Sequence, residues 1–397
     1  MSDRAWVTYL SNTEYLAGCL VLAYSLRKVQ SRYPLVVMVP RSPPLAPSDL
    51  DQLNKTSNII TGSNKEEYLW DYYAHTWAKL GAWGLVQYQR LVLLDCDMLV
   101  RINMDQLLTD PATHASGQLE IKSGDGAHEN ERKLQLGHSD AYLDLPEDWV
   151  AAAHACTCNP MRKPKYPKSW TPDSCAYSQY AGNPCPPSHN VVPGESGSAT
   201  DINITSGLLT QNGAPTQLPT LEKRDQQIDD LQVLTPASST SSPLAATTHL
   251  PTANATSPPK RAYFNSGLVV LKPSQKQLEA ILAVFRTVKS PTQYLFPDQD
   301  LLNEVFLGRW KSIGYGYNAL KTLSFCHAPI WNEATTIPPN SITDNVMPVV
   351  NVHYILEKPW NVKDLVKAEQ ESDRFVELYR WWWQAHDELR QETEALA

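Results

Sequence analysis

Asp95 and Asp97 stand one residue apart at the end of the apolar run Leu91-Val92-Leu93-Leu94. Two carboxylates at the end of a buried strand offer hard oxygen donors to a divalent cation, and through it to a diphosphate. Carboxylates also end strands simply by starting a turn, so the rest of the chain must supply the other parts of such a site. Four further segments carry suitable groups. Thr8-Tyr9-Leu10-Ser11-Asn12-Thr13-Glu14-Tyr15 spans a strand end and a helix start, a place that can receive a base and ribose, although Ser11 or Asn12 would serve equally as an ordinary cap. Tyr263-Phe264-Asn265-Ser266-Gly267 reads as a small polar turn before a strand, and Asp298-Gln299-Asp300 opens a helix after Pro297 with the acidic first turn that a helix dipole favours. In His353-Tyr354-Ile355-Leu356-Glu357-Lys358-Pro359-Trp360, a histidine leaving a strand can add a nitrogen ligand to a carboxylate metal site, and Lys358 can meet diphosphate oxygens.

The elements that must position these groups alternate in type. Trp6–Leu10 reads as a strand and 15–26 as a helix whose small residues allow close packing on a sheet. Leu35-Val36-Val37-Met38-Val39 reads as a buried parallel strand. A helix near 47–53, a short strand at 58–60, a helix over Trp77–Val86 and the strand 91–94 complete an open α/β sheet with crossover helices. After residue 262 come a strand at 268–271, helices over 275–288 and 300–306, and a last strand at 349–354. The tail, 363–397, reads as a helix with Phe375, Leu378, Tyr379 and Trp382 on one face, so that Trp381-Trp382-Trp383 docks on the core rather than forming a sugar-stacking or membrane face.

With 42% hydrophobic residues in 397, the chain can bury a substantial core. A net charge of -8 and a pI near 5.7 argue against a broad nucleic-acid-binding face, and no local basic cluster dominates. No window reaches the roughly 18 apolar residues of a membrane span, and Met1-Ser2-Asp3-Arg4 leads into a strand without a signal-like segment. A cytoplasmic protein is expected, with its seven cysteines as thiols or metal ligands. Residues 181–262 contain no Phe, Tyr or Trp, and a segment of this composition cannot bury enough apolar surface to offset the entropy of ordering it; 186–259 is expected to be a disordered insertion.

Taken together, Asp95-x-Asp97, Asn265-Ser266-Gly267, Asp298-Gln299 and His353-x(4)-Lys358-Pro359-Trp360 resemble the retaining glycosyltransferases of family 8, the glycogenin-like and galactinol-synthase-like nucleotide-sugar transferases. The resemblance implies a GT-A fold, a Rossmann-like nucleotide-binding domain formed by 1–180 and 260–362. It further implies Mn2+ held by Asp95, Asp97 and His353, and a UDP-sugar donor contacted by Tyr9, Ser11, Asn12, Tyr15, Lys79 and Lys358. Asn265, Asp298 and Gln299 match the family's sugar-facing, catalytic positions. The acceptor is not specified. The family's closing motif usually has a glycine between its histidine and lysine, which is absent here; and 321–331, where glycogenin carries its acceptor tyrosine, has none, although Tyr315 and Tyr317 lie nearby.

The Cys-rich segment 151–187 offers His154, Cys156, Cys158, Cys175 and Cys185 as soft ligands, so a structural Zn2+ at Cys156, Cys158 and Cys175 is a second metal expectation, with free thiols as its alternative. The competing functional reading is a catalytically weak UDP-sugar-binding or scaffold protein that uses the insertion and the tryptophan-rich tail as partner sites.

Overall fold

The apolar runs at 5–7, 35–38 and 91–94 have no polar face, so each must be covered on both sides. In the computed structural model they lie side by side in the middle of a sheet. The structure describes residues 2–40, 44–56, 58–62, 75–109, 145–177, 263–290, 293–328, 330–331 and 348–396. The expected disordered insertion at 186–259, its flanking domain limits at 180 and 260, and Cys185 lie outside the described residues.

The larger sheet among them has the order β3-β2-β1-β4-β7-β6-β8. It is built from β1 (Arg4–Tyr9), β2 (Leu35–Met38), β3 (Ile59–Gly62), β4 (Arg90–Leu94), β6 (Val150–His154), β7 (Phe264–Leu271) and β8 (Trp310–Ser312). β1 to β4 run parallel, whereas β7 is antiparallel to both β4 and β6. This reversal sets the start of β7 beside the end of β4: Leu94 pairs with Leu268, and the Asp95 amide donates to the Gly267 carbonyl at 2.9 Å. Asn265, Ser266 and Gly267 therefore lie within the strand, not in a turn before it.

Side chains alternate across the sheet. Trp6, Val92, Leu94 and Val270 face one apolar cluster, and Val7, Leu91, Leu93 and Val269 face the other. The first cluster is covered by α1 (Leu16–Lys28) and the tail; the second by a 3-10 helix (His75–Gly84), α3 (Gln275–Phe285) and α4 (Pro297–Val305), with α2 (Pro47–Lys55) flanking β3. The expected helix over 77–86 is a 3-10 helix because Trp77, Leu80 and Trp83 repeat every three residues, which places all three on the buried side of a three-residue turn.

A smaller sheet, β5 (Met98–Val100), β10 (Asn351–His353) and β9 (Ala319–Leu320), has β10 in the middle. β10 runs antiparallel to β5, with His353 opposite Met98, and the Tyr354 amide donates to the Asp97 carbonyl at 2.8 Å. After α5 (Leu323–Cys326), the tail forms two helices rather than one: α6 (Leu365–Gln370) and α7 (Val376–Leu396). They break at Ser372, whose φ is 59, and Asp373 caps the next turn by accepting from the Phe375 amide. Trp382 on α7 is fully buried, and Trp383 Nε1 donates to the Pro359 and Val362 carbonyls, so the tryptophan run docks on the core.

Candidate active site

The turn that follows β4 is pressed against α1. A Cβ at Gly18 would lie 2.7 Å from the Cys96 carbonyl oxygen and 2.7 Å from the Trp360 ring, so only glycine lets the helix approach both Asp95-Cys96-Asp97 and the Lys358-Pro359-Trp360 segment. Thr8 Oγ1, on the adjacent strand, donates to the Leu94 carbonyl and contacts Cys96 Sγ at 3.2 Å. These contacts fix where the two carboxylates emerge.

His353 arrives from β10. Its Nε2 lies 3.6 Å from Asp95 Oδ2 and 3.4 Å from Asp97 Oδ1, and the three side chains form one group able to hold a metal ion. A chain of hydrogen bonds sets the histidine tautomer. The Gly267 amide donates to Asn265 Oδ1 at 3.0 Å, so Asn318 Nδ2, at 2.8 Å from the same oxygen, is also a donor. Asn318 Oδ1 is then left to accept from His353 Nδ1–H at 2.9 Å. With Nδ1–H engaged by Asn318, Nε2 is the ring atom that faces the two carboxylates, a donor set of two hard oxygens and one imidazole nitrogen that a divalent cation fits. Gly267 has no side chain because His353 occupies the space: a Cβ there would lie 2.3 Å from His353 Cε1.

Two lysines flank the triad. Lys79, on the 3-10 helix, bridges Asp95 Oδ1 at 2.6 Å and Asp298 Oδ2 at 3.0 Å. Burial opposes its charge, but Asp298 and Asp95 outweigh that and raise its pKa. Lys358 contacts Asp97 Oδ2 and donates to the Tyr354 carbonyl. Burial would raise the Asp97 carboxyl, yet the Lys358 ammonium beside it holds it well below the usual carboxylate range; burial dominates at Asp95 and pushes it up against the pull of Lys79.

Asp298 and Gln299, in the first turn of α4, are buried beside this group. Ser266 Oγ donates to Asp298 Oδ2 at 2.8 Å. Gln299 Oε1 accepts from Asn265 Nδ2, and Gln299 Nε2 donates to the Tyr263 hydroxyl, which donates in turn to Asp300. One polar network therefore runs from Asp300 through Gln299, Asn265 and Asn318 to His353. Leu356, between His353 and Lys358, has φ 64, a left-handed backbone that glycine adopts without strain.

The expected nucleotide contacts divide. Tyr15 reaches the group: its ring meets the Trp360 edge at 5.5 Å and lies 6.0 Å from Lys358 Nζ. Asn12 uses its side-chain oxygen to cap the Glu14 amide, and Tyr9 and Ser11 are half-buried in the same segment without a contact to the triad among the described residues. Asn318 and Ser266 escaped the sequence reading as site residues. Ser266 lay inside a singled-out motif, whereas Asn318, in Tyr315-Gly316-Tyr317-Asn318, gives no signal of its own. Tyr315 and Tyr317 are 3% and 5% exposed, and their hydroxyls are hydrogen-bonded to the Ile330 carbonyl and Gln106.

The α/β sheet, its reversed strand and the acidic turn together bring two carboxylates, an imidazole and two lysines to one strand end. The sequence profile of glycosyl transferase family 8 matches residues 6–140 and 245–364. The chain belongs to that family and is a glycosyltransferase of GT-A fold. It is 24% identical over 393 residues to Arabidopsis thaliana galactinol synthase 1, covering 98% of this chain and 80% of that protein. Galactinol synthase 3 of the same plant is 37% identical over 117 residues, covering 27% of this chain and 34% of its own length. Among solved structures, the galactosyltransferase LgtC with donor and acceptor sugar analogues is 16% identical, with 94% and 95% of the two chains covered and a TM-score of 0.43. The glycosyltransferase GlyE of Streptococcus pneumoniae is 14% identical, with 98% and 64% covered and the same score, 0.43. No helix among the described residues is long and apolar enough to cross a membrane.

Proposed function

We propose that the chain transfers a hexosyl group from a UDP-sugar to an acceptor with retention of anomeric configuration, and that Asp95, Asp97 and His353 hold a divalent cation, Mn2+, for that reaction. The observation that carries this reading is the His353 ring, held by Asn318 at Nδ1 with its Nε2 against two carboxylates. When bound, the cation supplies Lewis-acid stabilisation of the charge that builds on the departing diphosphate.

The chain's own residues do the rest. Lys358 and Lys79 bring two ammonium groups to the corner where that charge develops. Tyr15, beneath Lys358, offers a ring face for the nucleotide, with Tyr9, Ser11 and Asn12 along the same edge. Lys79 and Ser266 both engage Asp298 Oδ2, so Asp298 Oδ1 is the atom that can face the sugar as it takes on oxocarbenium character. Gln299 and Asn265 hold each other and frame that face. A cytoplasmic location is part of the same proposal.

The test is release of UDP from UDP-glucose, UDP-galactose, UDP-xylose and UDP-N-acetylglucosamine, with and without Mn2+. Because the relatives aligned over nearly the whole chain are galactinol synthases, galactinol formation is the first acceptor reaction to assay. Mn2+-dependent turnover of one donor that disappears in Asp97→Ala is expected. Donor binding without turnover, under every donor and acceptor tried, would instead favour the scaffold reading.

A further inference from the structure

We propose that Cys156, Cys158, Cys175 and His327 bind a structural zinc ion in a closed tetrahedral site, separate from the carboxylate triad. The four side chains are buried, and their ligand atoms all lie within 4.8 Å of one another. His327 Nε2 is 3.6 Å from Cys156 Sγ, 3.3 Å from Cys158 Sγ and 3.5 Å from Cys175 Sγ. Cys175 Sγ and Cys156 Sγ are 3.9 Å apart. Zinc bonds of about 2.3 Å to sulfur and about 2.0 Å to nitrogen, arranged tetrahedrally, require edges of roughly 3.8 Å between sulfurs and roughly 3.5 Å from sulfur to nitrogen. The observed edges match.

Thiol packing alone does not explain this arrangement. An imidazole nitrogen has one proton or one lone pair, so it satisfies one neighbour, whereas three sulfurs converge on His327 Nε2. Nδ1 of the same ring is buried and has no hydrogen-bond partner, so its polar contacts among the described residues are those sulfurs. Cys326 Sγ, 3.8 Å from Cys156, lies outside the set of four. A disulfide between two members would leave the third cysteine and the histidine unmatched.

The site also closes a loop. Cys156 and Cys158 follow β6, and Cys175 ends the loop 159–174, in which no residue is buried. Midway along it, Tyr166 and Trp170 pack on Phe296, and Trp170 also meets Tyr263. The buried cysteines at its two ends meet His327, after α5 and 152 positions beyond Cys175, so the site ties both ends of the loop to one point. His154, the histidine nearest in sequence, is not a member; its ring packs on Trp310 at 4.9 Å. Three thiolates and an imidazole select zinc, while two carboxylates and an imidazole select a harder ion, so the chain would sort two metals by ligand chemistry. All four positions are filled by protein, which marks the site as structural.

The experiment measures zinc in the full chain purified without chelator, by elemental analysis and by mercurial release into a chromogenic dye. About one zinc per chain is expected, unchanged in Asp97→Ala and lost in Cys158→Ser and His327→Ala. If those two variants do not fold, cobalt substituted into the wild-type chain decides: the intense visible bands and thiolate charge-transfer absorption of a tetrahedral, sulfur-bound ion support the site, and a weak octahedral spectrum overturns it. Wild-type chain that holds no zinc and takes none up, with its cysteines titrating as free thiols or as a disulfide, also overturns it, as does zinc that is lost in Asp97→Ala.

Discussion

Asn318 shows how a residue outside every recognisable motif controls the chemistry of one inside. It is 1% exposed, accepts from His353 Nδ1 and donates to Asn265, so it selects the tautomer that points a lone pair at Asp95 and Asp97. Partners of this kind change metal affinity by about 10–100-fold when removed. Asn318→Ala is therefore expected to raise the Mn2+ concentration needed for half-maximal UDP release by at least about tenfold. Turnover at saturating metal should fall much less, which separates a positioning residue from a sugar-contacting one. The sequence cannot announce such a residue. Its importance lies in a contact across 35 positions, and a single asparagine after Tyr-Gly-Tyr reads as part of a turn.

Individual elements were legible to different degrees, for physical reasons. Unbroken β-branched and leucine runs identified β2 and β4, because a strand covered on both faces has no polar residues to confuse it. The Asn265-Ser266-Gly267 composition suggested a turn, but these residues lie in β7, where glycine is required by the approach of His353 and not by an unusual φ. The tail's apolar spacing predicted the docked helix, while the short polar break at Ser372 and Asp373 fell below what periodicity resolves. The segment from His353 to Lys358 has a histidine at the end of β10 but no glycine, and within it Leu356 adopts a left-handed backbone. Leu356→Gly is expected to be neutral to stabilising by up to about 1 kcal/mol, since relief of strain of about 1–2 kcal/mol is partly offset by the greater entropy of glycine in the unfolded chain. Urea denaturation of the two proteins measures this.

At the scale of the whole molecule, two sheets and the tail meet around the site. The reversed β7 and the central β10 deliver groups more than 250 positions apart in sequence to one corner, as the contact between Lys358 and Asp97 illustrates with 261. The tail is tied to the same corner through Lys321, fully buried, whose ammonium donates to the Glu357 carbonyl and the Tyr379 hydroxyl. Burial, helped by the nearby Lys358 charge, pushes the Lys321 pKa down to about 8 from 10.5. Between these values the unfolded chain binds more protons than the folded one, so this residue's contribution makes stability rise with pH, at up to about 1.4 kcal/mol per unit. In Lys321→Met that rise is absent. Denaturation from pH 7.5 to 10 should show wild-type stability gaining on the variant throughout this window; parallel curves would mean that Lys321 titrates normally. The pairing of the two sheets was not readable from the sequence, because it depends on β9 and β10, strands of two and three residues.

Asp95, Asp97 and His353 are proposed to form a metal site that works with a nucleotide diphosphate. Electron paramagnetic resonance of free Mn2+, titrated into the protein with and without UDP, tests it most directly. The expected result is about one bound Mn2+ per wild-type chain, held more tightly with UDP present, and an affinity at least about tenfold weaker in Asp97→Ala and His353→Ala. Mn2+ binding of equal strength in wild type and both variants, or binding indifferent to UDP, would contradict it.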